Sequence, residues 1–111
     1  MVESFRQGAV DVIRPADRLN KPQVDILRPV VDEVVKRGQP KLVIDLLNVP
    51  LIDSDGLEFL LDTRDACLRR GGECKLSGAS PLCCDILRVS GLDEEMEMQD
   101  DVVAAAGSFA R

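Results

Sequence analysis

The apolar and polar positions along the chain predict strands and helices in turn. Residues 9–14 alternate with a period of two, which predicts a strand. Asn20 is then expected to cap a helix with Pro22 in its first turn, and the apolar residues of this helix recur at helical spacing up to residue 34. Pro29 interrupts the pattern. Because the apolar face continues across it, we expect a kink there rather than a helix that begins at Pro29.

Residues 41–49 carry the strongest strand signal in the sequence. The run is almost entirely apolar, as expected of a central strand that is covered on both faces. A helix is predicted from Leu57 to the pair Gly71-Gly72, followed by a short strand over 73–77. Because this strand should alternate, its apolar residues Cys74 and Leu76 are expected to point inward.

The last third of the chain predicts one more helix, a strand and a final short helix. Ser80 is expected to cap a helix with Pro81 at its first position. The last strand is predicted over 95–98 and the final helix over 102–106. The residues expected to form the apolar side of the Pro81 helix are Leu82, Ile86, Leu87 and Val89.

Alternating strands and helices imply parallel pairing through right-handed crossovers, with helices packed on the sheet. We therefore predict an α/β fold: a mixed, mostly parallel sheet of four or five strands with about four helices packed on it. The chain of 111 residues is long enough for one core, so we expect a single domain over residues 1–111.

Charge and composition exclude several classes of function. A net charge of −6 repels polyanions, so nucleic acid is not expected as a partner. The polar start of the sequence lacks a signal peptide, and no apolar run approaches the ~20 residues that span a bilayer. We therefore expect a cytoplasmic protein without membrane insertion. The chain has no histidine, so it cannot form a Cys-His nucleophile or a metal site with histidine ligands, and the usual general base is missing. It also has no glycine-rich phosphate loop and no paired catalytic carboxylates. We therefore predict no catalytic residue, metal site or cofactor, and we do not expect an enzyme.

Two sets of side chains are expected to be structural. Asp45 lies inside the predicted central strand, where a carboxylate must find hydrogen-bond donors. The four cysteines include the adjacent pair Cys83-Cys84 and match no CxxC redox or zinc spacing. We expect reduced, partly buried thiols.

The segment from Ile52 to Leu57 is the main candidate for a functional site. It lies between a buried strand and a helix N-terminus, where unpaired N–H groups and the helix dipole favour an anion. A phosphate on Ser54 would be tolerated there, and Gly56 would allow a partner to approach closely. The simpler alternative is a local cap formed by Ser54 or Asp55, in which Glu58 completes a capping box for Asp55.

Several motifs, in order and spacing, resemble the STAS domain of anti-sigma factor antagonists. They are the strand over 42–46, the Asp-Ser-x-Gly-Leu core over 53–57, the glycines at 71–72 and the segment 89–92. The resemblance covers residues from about 8 to 106. It implies partner switching: the unphosphorylated protein binds an anti-sigma factor that is also a serine kinase, phosphorylation ends the complex, and a phosphatase restores it. Ser54 inherits the phosphoacceptor role. The implied partner-binding residues are Asp53, Ser54, Asp55, Gly56, Leu57 and Glu58.

Asp55 departs from the family pattern, which has a small neutral residue after the serine. Its carboxylate would repel an incoming phosphoryl group and partly supply the charge that phosphorylation adds. Slow phosphorylation, its absence, or a permanently biased state are therefore open alternatives.

Two other functions are compatible with parts of the same sequence. The first is a non-phosphorylated STAS scaffold or accessory subunit of a larger signalling or transport assembly. The second, a phosphoaspartate receiver, is disfavoured because Asp11 stands alone and no lysine follows Lys75. The oligomeric state stays open, with a weak homodimer as one alternative.

Overall fold

The computed structural model describes residues 2–109, and its centre is a five-stranded mixed sheet. The strands follow the order β1-β2-β3-β4-β5; β1 pairs antiparallel with β2, and all other neighbours are parallel. The α/β fold, the mostly parallel sheet and the number of helices are therefore confirmed. In chain order the elements are β1 (Val2–Gln7), β2 (Val10–Pro15), α1 (Lys21–Val35), β3 (Lys41–Asp45), α2 (Ser54–Arg69), β4 (Glu73–Ser77), α3 (Pro81–Val89), a 3₁₀ turn (Leu92–Glu94), β5 (Met98–Gln99) and α4 (Val102–Ser108).

Side-chain caps fix where the helices begin. The Asn20 side chain accepts a hydrogen bond from the third residue of α1, and Ser80 does the same for α3, as the sequence predicted. A proline in the first turn of each helix supplies a φ suited to that position. α1 continues through Pro29, so the alternative of a helix that begins there is wrong.

The two faces of the sheet are covered unequally. One face packs against α1, α2 and α3 and forms the main core, in which Ile13, Ile44 and Leu76 are fully buried. The other face carries a smaller cluster around Val12 and Val43, which packs against α4. Because β3 is covered on both sides, its continuous apolar run is explained.

β3 ends earlier than the predicted strand over 41–49. The Leu47 N–H donates to the Asp45 carboxylate at 3.3 Å, and the Val49 N–H donates to the Leu46 carbonyl at 3.0 Å. These two bonds form a turn, which takes Leu47 out of the sheet and leaves it 64% exposed. The prediction of strand beyond residue 45 is therefore wrong.

The buried face of α3 also differs from the prediction. Cys83 and Leu87, four residues apart, point into the core, and Ile86 is half-buried beside them. Leu82 is 52% exposed and Val89 is 84% exposed, so these two residues do not belong to the buried side.

The ends of the chain contain the remaining differences. β1 was not predicted, because as an edge strand it buries only parts of Val2 and Phe5. The last strand lies at Met98–Gln99 rather than 95–98, since the chain first makes a 3₁₀ turn at Leu92–Glu94. The final helix was predicted at the right place but continues to Ser108.

The cysteines are free thiols, as the sequence predicted. Cys67, Cys74 and Cys83 are buried, and Cys84 is half-buried. A hydrogen bond with Cys67, together with burial, raises the pKa of the Cys74 thiol well above its usual value, which keeps that thiol protonated. Within residues 2–109, no helix is both long enough and apolar enough to cross a membrane.

Candidate functional site

The candidate site lies where β2 and β3 end side by side. Parallel strands bring the loops after them to one edge of the sheet, so the loop before α1 meets the loop before α2. The Leu19 N–H donates to the Leu51 carbonyl at 2.8 Å, and the Asp53 N–H donates to the Leu19 carbonyl at 3.1 Å. These bonds fix the segment that leads into Ser54.

Asp53 is the N-cap of α2. Its backbone is extended, and its carboxylate accepts a hydrogen bond from the Gly56 N–H at 3.0 Å. The Leu57 N–H donates to the Asp53 carbonyl at 2.9 Å and closes the first turn. The expectation that Ser54 or Asp55 forms the cap is therefore wrong. The predicted capping box with Glu58 is also wrong, because it requires Asp55 to be the cap.

Ser54 occupies the first position of α2, and its side chain is exposed. The first N–H groups of a helix have no partner within the helix, and the Asp53 carboxylate takes up that of Gly56. A phosphate on Ser54 would thus add its charge beside the positive end of a helix dipole, with no need to bury it.

Close packing against Leu19 and Ile52 requires a glycine at position 56. A Cβ atom at this position would lie 2.5 Å from the Leu19 carbonyl oxygen and 2.9 Å from Cγ2 of Ile52. The residue is buried, so the expectation that it gives a partner room to approach does not match its position. Its small size instead lets α2 begin directly against the loop that contains Leu19.

Two exposed carboxylates lie close to Ser54 in the chain. Asp55 follows it in the first turn, and Glu58 comes one turn later. Both carboxylates, together with the capping Asp53, offset part of the positive helix end. Leu57 is half-buried and packs against the main core. Of the six residues predicted to bind a partner, the exposed ones are Asp53, Ser54, Asp55 and Glu58.

The sequence did not predict the apolar side chains that are exposed at this edge. Leu47 and Leu51 lie in the loop between β3 and α2, and Leu82 lies in the first turn of α3; they are 64%, 41% and 52% exposed. Exposed apolar side chains are typical of protein contacts where they form a contiguous patch. Asn48 and Pro50 are the turn residues that could have indicated an exposed loop here.

Asp45 is satisfied by hydrogen bonds and is only 2% exposed. Its carboxylate accepts from Nε of Arg14 at 2.6 Å, from the Ser77 hydroxyl at 3.1 Å and from the Leu47 N–H at 3.3 Å. The predicted structural role is confirmed. The Asp45 carboxylate thus connects β2, β3 and β4 at the end of β3, and its bond to the Leu47 N–H holds the start of the loop that leads to the site.

The fold and the site together define a small α/β module with an exposed serine, Ser54, at the start of α2. The STAS domain family matches residues 6–105, and this chain belongs to that family.

Individual relatives agree with this assignment. The chain is 29% identical over 105 residues to an anti-sigma F factor antagonist of Paenibacillus polymyxa, covering 94% of this chain and 90% of the relative. An anti-sigma-factor antagonist domain protein from Planctomyces limnophilus has a TM-score of 0.89 at 24% identity, covering 99% of this chain and 98% of that chain. The Bacillus cell fate determinant SpoIIAA in its phosphorylated form has a TM-score of 0.74 at 19% identity, covering 100% of both chains. These two structural likenesses establish the fold.

Proposed function

We propose that this chain is an anti-sigma factor antagonist, a protein-binding module rather than an enzyme, and that phosphorylation of Ser54 switches it off. The observation that carries the proposal is the exposed serine at the first position of α2 in a STAS fold. The names of its relatives support it, and SpoIIAA, which has the same fold, has been solved in a phosphorylated form. The proposed partners are two proteins. One is an anti-sigma factor that is also a serine kinase, and the other is a phosphatase; all three proteins are proposed to be cytoplasmic.

The proposed switch acts through charge at an apolar contact surface. In the unphosphorylated state, the exposed Leu47, Leu51 and Leu82 would pack against the partner, with Asp53 and Glu58 as polar contacts. A phosphate on Ser54 adds a charge of about −1.5 to −2 and a strong hydration requirement. Because the interface would have to desolvate that charge, the complex should dissociate. The kinase brings ATP and Mg²⁺, so the proposal needs no cofactor in this chain.

Partner capture from the host tests the binding half of the proposal. Ser54→Ala cannot be phosphorylated, so it should retain an anti-sigma factor on an affinity column, whereas Ser54→Glu should retain much less. Ser4→Ala, an exposed serine on β1, is the matched control and should behave like the wild type. Equal retention of the same proteins by Ser54→Ala and Ser54→Glu would contradict the proposal.

The effect of Asp55 tests the phosphorylation half. We propose that its carboxylate slows phosphoryl transfer to the neighbouring Ser54. Asp55→Ala and Asp55→Ser should both be phosphorylated faster by the captured kinase with ATP and Mg²⁺, as measured by intact mass. Glu33→Ala on α1 removes another exposed carboxylate and should leave the rate unchanged. An unchanged rate in both Asp55 variants would remove this part of the proposal.

A non-phosphorylated scaffold or accessory subunit is the competing function. The carboxylate of Asp55 beside Ser54 favours it, because a built-in negative charge makes phosphorylation less effective as a signal. Under this alternative, the chain would form stable assemblies that do not respond to ATP, and neither Ser54 variant would change them.

A further inference from the structure

The outer edge of β1 offers a row of backbone hydrogen-bonding groups. β1 is the first strand of the sheet and pairs with β2 over all six residues without a bulge. It contains no proline, and within residues 2–109 no strand lies on its other side. The opposite edge is protected, because β5 has two residues and is followed by Asp100 and Asp101. β1 is thus the open edge of this sheet.

The hairpin between β1 and β2 determines which backbone groups point outward. Gly8 and Ala9 form a two-residue turn, with Gly8 at a φ of 64°, so Gln7 and Val10 close the hairpin. In such a turn the carbonyl of Gln7 accepts a hydrogen bond from Val10. Since hydrogen-bonded and non-hydrogen-bonded pairs alternate along an antiparallel ladder, every second residue of β1 directs its N–H and C=O away from β2. The outward residues are Val2, Ser4 and Arg6.

We infer that β1 pairs antiparallel with β1 of a second copy of this chain, with Ser4 facing Ser4 across the twofold axis. This register places Val2 opposite Arg6 at each end and uses all three outward residues of both copies. A shift of one residue brings inward-pointing groups to the interface and turns side chains to the wrong face. A shift of two residues leaves two hydrogen-bonded pairs instead of three. The Ser4 register therefore satisfies the edge best and joins the two sheets into one.

Side chains on the α4 face complement this register. Glu3 of one copy lies opposite Phe5 of the other. The guanidinium of Arg14 lies over the Phe5 ring at 5.1 Å and reaches Glu3 of its own chain at 3.5 Å. In the pair, each Arg14 would lie between its own Glu3 and Glu3 of the second copy. Nε of Arg14 is already bonded to Asp45 at 2.6 Å, so Glu3 of the second copy would be a further carboxylate at the same guanidinium. One such contact between Arg14 and Glu3 would form at each end of the interface, which favours a second copy over an unrelated strand.

The paired state is independent of the proposed switch. Ser54 follows the loop after β3, and β2 lies between β3 and β1. Pairing at β1 would therefore join two modules while Ser54 stays exposed in each. Loss of phosphorylation would leave this inference untouched, and loss of pairing would leave the switch untouched.

Cysteine cross-linking tests the register. Ser4→Cys, in a Cys84→Ser background that removes the half-buried thiol, should form a disulfide-linked dimer under mild oxidation. Facing Cα atoms of a hydrogen-bonded antiparallel pair are about 5.5 Å apart, within the ~4.4–6.8 Å that a disulfide spans. Arg6→Cys is the matched control, because its two copies would be separated by four residues, or about 13 Å. Cross-linking of Ser4→Cys no faster than of Arg6→Cys would overturn the inference.

Sedimentation of the unmodified chain supplies a second measurement. The wild type should sediment as a concentration-dependent monomer–dimer mixture. Ser4→Pro removes an outward N–H but leaves the pairing with β2 intact, so it should weaken dimerisation at least ~10-fold. Ser4→Ala keeps that N–H and should match the wild type. A wild type that stays monomeric up to ~1 mM would exclude the pairing, as would a dimer that Ser4→Pro does not weaken.

Discussion

Replacing Gly56 by alanine tests whether the start of α2 is fixed by close packing. The new methyl carbon would lie 2.5 Å from the Leu19 carbonyl oxygen, 2.7 Å from Cβ of Leu19 and 2.9 Å from Cγ2 of Ile52. All three distances are below normal contact. The Leu19 oxygen cannot easily retreat, because it accepts the Asp53 N–H at 3.1 Å and belongs to the bridge between the two loops. Either α2 or this bridge must move.

Two opposing terms set the size of the effect. Alanine in a helix interior is more favourable than glycine by about 1 kcal/mol. Overpacking a close contact costs about 1–3 kcal/mol, and the upper end applies here because the clash is with backbone. We therefore expect Gly56→Ala to lower the free energy of unfolding by about 2 kcal/mol and the Tm by roughly 8 °C.

Urea denaturation and thermal melting of matched variants measure this effect. Gly107→Ala is the control, since it makes the same change within a helix at a position where no atom lies within 4 Å of the new Cβ. It should stabilise the protein by up to about 1 kcal/mol, opposite in sign to Gly56→Ala. If Gly56→Ala were as stable as the wild type, the argument that packing against Leu19 requires a glycine would be refuted.

Three further predictions concern carboxylates. Asp53→Ala should lower the free energy of unfolding by about 1 kcal/mol through loss of the helix cap. Asp45→Ala should lower it by about 2–4 kcal/mol, because buried donors lose their acceptor. Hydrogen bonds from Gln99 and Lys75 lower the pKa of Glu97 from 4.5 to about 2. The stabilisation by Glu97 should therefore be complete above pH 4.5 and be lost as the pH falls towards 2, so Glu97→Gln should remove this part of the pH dependence of stability.

Each of these predictions has its own control. Asp53→Asn retains a capping oxygen and should stay within a few tenths of a kcal/mol of the wild type. For Asp45, the exposed Asp17→Ala should change stability by less than about 0.5 kcal/mol, and an equal loss in both would contradict the buried network. For Glu97, an NMR titration of its carboxyl with a midpoint near the ordinary 4.5 would contradict the predicted pH dependence.

The sequence predicted those parts of the fold that depend on short-range signals. Ser80 and Pro81 identify the start of α3 because a cap and a first-turn proline act within a few residues. The strand over 73–77 was also found at its observed bounds. The exposure of Ser54 follows from its position at the start of a helix, which the sequence indicates. The sequence predicts Ser54 or Asp55 as the cap, whereas the structure has Asp53.

The remaining features depend on contacts between distant parts of the chain. Gly56 is needed because of Leu19, which no local pattern reveals. The apolar run over 41–49 predicts strand throughout, yet the chain turns after Asp45, where its carboxylate accepts the Leu47 N–H. The sequence pattern does not predict β1, because an edge strand needs few apolar residues. Such features require knowledge of which strands become neighbours.

The bridge between Leu19 and Ile52 has a consequence for how the proposed switch would operate. Both loops are already ordered by backbone hydrogen bonds, so a docking protein would lose little conformational entropy in fixing them. A surface that is ordered in advance also has little freedom to change shape. Adding or removing a phosphate would therefore alter affinity through solvation and repulsion, while the backbone around Ser54 stays the same in both states.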